Sequence, residues 1–201
     1  MFPFLASCLV FILFLSMRIH HSRKVMAEQS DSFWEKEAKA NNTRKQPLDD
    51  LTYITIPLED LPMNVLTDHP QAAEYHRILQ DLSEQPIVDL SGITNTDLKL
   101  RYGAANLEQL SRYDQAYTML VRTLQQWASL LIDENYQAQA VTVLEYAVSI
   151  GSDVSGTYRL LSGIYHETGN PDGILDLITK AEALRSPMKA SIIKQLRSLI
   201  F

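Results

Sequence analysis

The sequence contains little cysteine, and it lacks the residue patterns that mark most enzyme sites. Cys8 is the only cysteine among 201 residues, and it lies in an apolar stretch near the N-terminus. The remainder of the chain therefore offers no disulfide, thiolate metal site or cysteine nucleophile. The five histidines form no His-x-x-x-His pair, and no serine lies in a Gly-x-Ser-x-Gly motif. We expect no catalytic residue, no metal site and no cofactor, and hence a protein that is not an enzyme.

Glycine-rich loops and clusters of positive charge are also missing. The last five of the seven glycines are spaced as turns and close helix contacts, which leaves no loop typical of phosphate binding. The net charge is −6, from 18 Lys and Arg residues and 24 Asp and Glu residues. Residues 25–100 carry six bases and fourteen acids, whereas residues 101–201 carry nine bases and ten acids. Because nucleic-acid binding needs clustered basic residues, we do not expect nucleic acid as a partner. Because the chain lacks the motifs of phosphate-binding and catalytic sites, we expect no small-molecule substrate either.

The chain does contain one uncharged apolar stretch, over residues 2–17, followed by a basic cluster that includes Arg18 and Arg23. This stretch has three interpretations: a cleaved signal peptide, a lipid attachment site at Cys8, or an uncleaved membrane anchor. No basic residue precedes the stretch and no small-x-small site follows it, which disfavours a signal peptide. Cys8 lies too early in the stretch for a typical lipoprotein signal. The sequence therefore predicts a single-pass cell-membrane protein anchored through residues 1–24, with its soluble part in the cytoplasm.

Residues 25–69 are predicted to form a polar linker and an extended arm. Tyr53, Ile54 and Ile56 favour an extended backbone. Pro57 and Pro62 exclude a place in the centre of a sheet, because proline cannot donate to the ladder. We expect residues 48–66 to pack their apolar side chains on a helical body, and a two-stranded ribbon is the alternative.

Residues 70–201 are predicted to be helical, and part of this region repeats. Pro70 suits the first turn of a helix, and Thr94 and Asp97 form a pattern like a capping box. Large and small residues then recur at an interval of 34 positions. The corresponding pairs are Leu124 and Tyr158, Trp127 and Leu161, Ala128 and Ser162, Leu131 and Tyr165, Asn135 and Gly169, Ala140 and Ile174, Leu144 and Ile178, and Ala147 and Ala181.

This 34-residue period resembles the tetratricopeptide repeat (TPR), a helix–turn–helix unit. The resemblance covers residues 121–188, a degraded unit precedes it over residues 97–123, and a capping helix follows it. It implies an all-α protein with a short α-solenoid of antiparallel helix pairs. Small residues such as Ala128 and Ala140 would let the paired helices approach closely. Gly169, and Asn135 less easily, would supply the positive φ needed to reverse the chain.

The stretch over residues 95–117 is dense in polar and aromatic side chains and has two interpretations. In the first, Asn106 and neighbouring polar residues satisfy buried helix ends. In the second, Lys99, Asn106, Tyr113 and Tyr117 line a concave groove that binds an extended peptide or its carboxylate, as the TPR resemblance implies. The groove is either free or already filled by the arm over residues 48–66.

Three functional hypotheses follow from the sequence. The first is a membrane-anchored helical-repeat adaptor or scaffold that binds protein partners at the cytoplasmic face. The second is a structural subunit of a membrane complex, held in place by the anchor helix itself. The third is an enzyme whose site the sequence does not reveal. The first is preferred, because the repeat is the most distinctive pattern in the chain.

Overall fold

The computed structural model describes residues 16–18, 26 and 30–200. Within these residues the protein contains helices and no β-strand, which confirms the predicted all-α fold class. A short 3₁₀ turn, Ala104–Asn106, precedes the longest of the described helices. Residues 16–18, 26 and 30–41 are helical, and we call the helical residues 30–41 α1. The helices that follow are α2 (Pro70–Ser83), α3 (Asn95–Tyr102), α4 (Leu107–Asp133), α5 (Gln137–Ser149), α6 (Ser155–Glu167), α7 (Pro171–Glu182) and α8 (Lys189–Arg197).

The described helices contradict the prediction of a membrane-spanning protein. None of the helices within residues 16–18, 26 and 30–200 is both long enough and apolar enough to cross a membrane. Even α4, with 27 residues, carries charged side chains such as Glu108 and Arg112, and one face of it is polar. The predicted localisation as a single-pass membrane protein is wrong on this finding, whereas the prediction that residues 2–17 contact a membrane stays a prediction. The predicted anchor over residues 2–17 lies outside the described residues except for its last two positions.

The chain divides into two compact units, which are described separately. The first unit comprises the described residues up to Pro47 together with Thr94–Leu107, and the second comprises Leu48–Ile93 and the chain from Glu108 onward. In the first unit, the Thr94 hydroxyl accepts a hydrogen bond from the Asp97 N–H at 3.2 Å, as the capping pattern predicts. Lys36 of α1 forms an ion pair with Asp97 at 2.6 Å.

Gly103 ends α3 in the first unit and has a positive φ of 87°. A Cβ atom at this position would clash with the backbone carbonyl of Arg44. Both the backbone conformation and the close approach of residues 44–45 therefore require glycine here.

The second unit contains two helix hairpins whose ends recur at the interval of the sequence repeat. Helix α4 ends at Asp133, and α6 ends one repeat period later, at Glu167. Helix α5 begins at Gln137, and α7 begins one repeat period later, at Pro171. The two hairpins, α4–α5 and α6–α7, therefore have matching ends on both sides of their turns.

The turns of the two hairpins also have the same hydrogen bonds. Asn135 and Gly169 have positive φ values of 66° and 68°, which confirms their predicted turn conformation. The next residue in each hairpin donates its N–H to a carbonyl five positions earlier, from Tyr136 to Leu131 at 2.7 Å and from Asn170 to Tyr165 at 2.8 Å. This is the hydrogen bond that closes a Schellman helix end.

The core of the second unit is built from matching positions of the two hairpins. Buried residues of α4 and α6 pair as Thr123 and Thr157, Leu124 and Tyr158, Trp127 and Leu161, Ala128 and Ser162, and Leu130 and Ile164. Those of α5 and α7 pair as Ala140 and Ile174, Val143 and Leu177, Leu144 and Ile178, and Ala147 and Ala181. Each hairpin therefore turns equivalent faces toward the core.

Residues 48–66 and α8 complete this core. The segment 48–66 contains neither helix nor strand, yet Ile56 and Leu61 are buried among the helices. The Ile54 N–H donates to the Ile87 carbonyl at 2.9 Å, which ties the segment to the chain after α2. Helix α8 and the turn after it contribute an apolar stripe, in which two residues are buried and three are partly buried: Ile192 and Leu196, and Ile193, Leu199 and Ile200.

Candidate functional site

Two of the four predicted binding residues, Lys99 and Asn106, belong to the first unit. The Lys99 ammonium group donates to the carboxylate of Glu37 and to the side-chain oxygen of Asn41. The side chain of Asn106 is fully buried, and its Nδ2 atom donates to the carbonyls of Gln46 and Tyr102, both at 2.7 Å. Since Tyr102 is the last residue of α3, these contacts agree with the interpretation that Asn106 satisfies a buried helix end.

The other two, Tyr113 and Tyr117, belong to the second unit. The Tyr113 hydroxyl accepts a hydrogen bond from Gln109, and its ring lies edge-on to Tyr53 at a centroid distance of 6.0 Å. The predicted arm therefore packs against one of the predicted groove residues. Tyr117 is buried, and its hydroxyl donates to the Ile150 carbonyl at 3.3 Å. All four predicted residues thus have polar partners within their own units, and their role in a peptide groove stays a prediction.

The Tyr117 hydroxyl lies close to Gly151, a residue that lines a cleft not predicted from the sequence. The cleft has a volume of about 310 Å³ and opens where helices α5 and α7 end. We call it the acidic cleft, and its charged lining residues are Asp89, Asp153, Lys180 and Arg185. Gly151, with a φ of 81°, forms part of its wall. A Cβ atom there would lie 3.8 Å from both the Tyr117 hydroxyl and the Asp89 carboxylate.

The two basic residues of the acidic cleft already have acidic partners. Arg185 forms an ion pair with Asp89 at 3.3 Å and also contacts the Asp89 carbonyl. Lys180 forms an ion pair with Asp176 at 2.8 Å, one turn earlier on the same helix. Asp153, by contrast, has no hydrogen-bonded or ion-paired side chain within the described part of the chain. Among the described residues, Asp153 is therefore the one carboxylate of the cleft lining without an ion-paired basic group.

The acids around the cleft raise the pKa values of their neighbours. Burial raises the pKa of Asp114, and the charges of Asp89 and Asp153 raise it further, although a hydrogen bond from the Leu90 N–H opposes this. Burial is also the main reason why the pKa of Tyr117 lies far above its usual value, and the same two carboxylates add to it. Each of these two carboxylates therefore disfavours a further negative charge on Asp114 or Tyr117.

Tyr158 extends this group into the core. Its side chain is 1% exposed, and its hydroxyl has no hydrogen-bond partner among the described residues. Burial, together with the charge of Asp153, raises the pKa of Tyr158 to about 12. A buried hydroxyl without a hydrogen-bond partner costs stability.

No protein-family model, characterised protein or solved structure matches this chain. What the site can do is therefore inferred from its residues alone. The described residues contain no group of three or more His, Cys, Asp and Glu side chains that could hold a metal ion. An unneutralised carboxylate next to partly apolar walls is suited to binding an organic cation through a charge-assisted hydrogen bond.

The residues of the acidic cleft escaped sequence analysis because they are distant in the chain. Asp89 and Arg185 are separated by 96 positions, and each lies in an irregular segment without a recognisable motif. Asp153 lies in the short connection between α5 and α6. The only available signal was Gly151, because a glycine after an amphipathic stretch predicts a helix end near which loops meet.

Proposed function

We propose that residues 107–197 form a short TPR-like α-solenoid and that the chain acts as an adaptor that binds a segment of another protein. The observation that carries this proposal is the match between the turns at Asn135 and Gly169, which have nearly the same φ and the same closing hydrogen bond. A chance resemblance in sequence would not require the helix ends, turns and buried positions to recur together. Their joint recurrence is typical of repeated helix pairs.

The packing order of the helices supports this proposal. Helix α6 contacts both α5 and α7, and α8 contacts both α6 and α7. Helix α6 also approaches α4, since a Cβ atom on Gly156 would lie 3.1 Å from the side chain of Gln125. Helix α8 begins at Lys189, one repeat period after the start of α6 at Ser155. From α5 to α8, each helix therefore packs against the next one along the chain, as the helices of stacked repeat units do.

Protein binding is the function that such an arrangement favours, because stacked helix pairs present an extended surface to a partner. The helices bury one face and expose the other. In α4 and α6 the exposed side chains include Arg122, Gln126 and Arg159. These positions offer charged and amide groups that could contact a partner without disturbing the core.

The architecture can be tested by inserting a second copy of residues 121–154 directly after Val154. In a solenoid the extra unit stacks between its neighbours, so the protein should keep a cooperative transition with a larger dependence on urea concentration. Circular dichroism and urea unfolding would measure this. Loss of the cooperative transition in the extended protein would contradict the proposed solenoid.

The binding function can be tested by placing a photo-crosslinking amino acid at Arg159 of the full chain in its native cells. Glu84, which is also exposed but lies after α2, provides the control position. We expect a discrete crosslinked protein from position 159 and none from position 84. If positions 122, 126 and 159 all fail to give a discrete product, the proposed function is wrong.

A further inference from the structure

We propose that the acidic cleft binds the side chain of a lysine or arginine from a partner protein, with the Asp153 carboxylate as the group that receives the cation. This inference deepens the proposed function and rests on it, because it names the chemistry by which the chain recognises a protein segment. The occupant is a side chain on a longer polypeptide and not a free amine.

The charge of the second unit favours a basic partner. This unit carries nineteen Asp and Glu residues and nine Lys and Arg residues, a formal charge of −10. The net charge of the whole chain, −6, understates this value because the remaining residues have a positive balance. A surface of this sign attracts basic segments and repels acidic ones before contact is made.

Within the acidic cleft, the local charges point in the same direction. Arg185 and Lys180 form ion pairs with Asp89 and Asp176, and neither of them forms one with Asp153. Helices α5 and α7 both end at the cleft, and the carbonyl end of a helix carries a partial negative charge that favours cations. The cleft thus combines one unneutralised carboxylate with two negative helix ends.

The shape of the cleft suits a long side chain with a charged tip. Its volume of about 310 Å³ is near the lower limit for ligand sites, too small for a folded segment and sufficient for one side chain. Val148 and Leu184 provide apolar wall, against which the aliphatic part of a lysine or arginine can pack.

The test uses the full chain, labelled with ¹⁵N, and three defined probes followed by NMR titration. The first probe is the capped peptide Gly-Ser-Arg-Ser-Gly, the second is the same peptide with citrulline in place of arginine, and the third is free agmatine. We expect the arginine peptide to shift the amides of Gly151 and Asp153, and to bind roughly tenfold more tightly than the citrulline peptide. Equal binding of the two peptides would overturn the proposal. Tighter binding of agmatine than of the arginine peptide would overturn the assignment to a protein segment.

Three variants locate the interaction. Asp153→Asn should weaken binding of the arginine peptide roughly tenfold, whereas Asp68→Asn, an equal charge change at an exposed position of the same unit, should change it less than about twofold. Lys180→Gln removes a positive charge from the cleft and should strengthen binding roughly two- to fivefold. This gain cannot arise from misfolding, so it keeps the test valid if Asp153→Asn proves unstable. Equal effects of Asp153→Asn and Asp68→Asn, or weaker binding by Lys180→Gln, would contradict the proposal.

Failure of this inference can be distinguished from failure of the proposed function. If position 159 yields a discrete crosslinked partner but the arginine peptide does not bind, the cleft assignment is wrong and the adaptor function stands. If neither experiment detects an interaction, both proposals are wrong.

Discussion

Asn135 and Gly169 occupy equivalent positions of the two hairpins and share one backbone conformation, with φ values of 66° and 68°. Each follows the first helix of its hairpin, and each is succeeded by the same hydrogen bond across the helix end. A side chain with a Cβ atom is strained in this conformation, which is why glycine is the most common residue there and asparagine the next. The two hairpins therefore reverse the chain by the same local means.

Replacement of glycine by alanine should have opposite effects at two positions of the second hairpin. A Cβ atom would have open space at both Gly163, within α6, and Gly169. Only Gly169 has a positive φ, so Gly169→Ala should lower the free energy of unfolding by about 1–2 kcal/mol. Gly163→Ala should raise it by about 0.5–1 kcal/mol, because alanine favours a helix. Urea unfolding measures both, and a loss of stability at position 163 would contradict this explanation.

The close approach of paired helices should make Ala140 intolerant of a larger side chain. Ala140 is completely buried in α5, whereas Ala138 is exposed on the same helix. Ala140→Leu should lower the free energy of unfolding by about 1–3 kcal/mol through overpacking. Ala138→Leu should change it by less than about 0.5 kcal/mol. Thermal and urea unfolding provide the measurement, and equal effects of the two substitutions would show that helix spacing is not set by this small residue.

The stability of the protein should fall as the pH is lowered below about 6.5, because of His76. The imidazole is buried edge-on against the ring of Trp127 at 5.0 Å, and burial lowers its pKa. The folded state then binds fewer protons than the unfolded state, so this stability is complete above the unfolded pKa and is lost as the pH falls toward the folded pKa. The slope from this group is at most about 1.4 kcal/mol for each pH unit.

Urea unfolding at pH 7.5 and at lower pH values would measure this dependence. His76→Leu should remove most of it, whereas His166→Gln, a change at an exposed position, should leave it in place. If His76→Leu retains the full dependence, another group is responsible for it.

Asn106 should be essential for folding of the first unit because both of its amide hydrogens are used. Its Nδ2 atom donates to two carbonyls that are fixed by the backbone at 2.7 Å. Asn106→Asp places a carboxylate against these carbonyls and should cost about 3 kcal/mol or more, since the buried charge loses its water. Asn64→Asp, an exposed position, serves as the control. Hydrogen exchange of the α3 amides would detect the loss, and unchanged protection would show that this contact is dispensable.

Features set by neighbouring residues could be predicted from the sequence, whereas features set by distant residues could not. Pro70 begins α2, Thr94 caps α3 and Gly169 ends a helix, as predicted, because each acts on the backbone within a few positions. The acidic cleft joins Asp89 and Arg185, which are 96 positions apart, and Asn106 contacts Gln46, which is 60 positions away. A local sequence pattern cannot predict contacts between such distant residues. The prediction of a single-pass membrane protein was based only on the apolar stretch over residues 2–17. None of the described helices is long and apolar enough to cross a membrane.

The burial of Ile56 and Leu61 has a practical consequence for fragments of this protein. Helix α2 begins at Pro70, so a shortened version would naturally start there. Such a fragment would lack both side chains, which are 6% and 5% exposed in the intact second unit. The helix surfaces that these side chains cover would then be exposed to solvent. A useful fragment of this unit must instead start no later than Leu48, so that it includes the irregular segment 48–66 together with the helices that this segment covers.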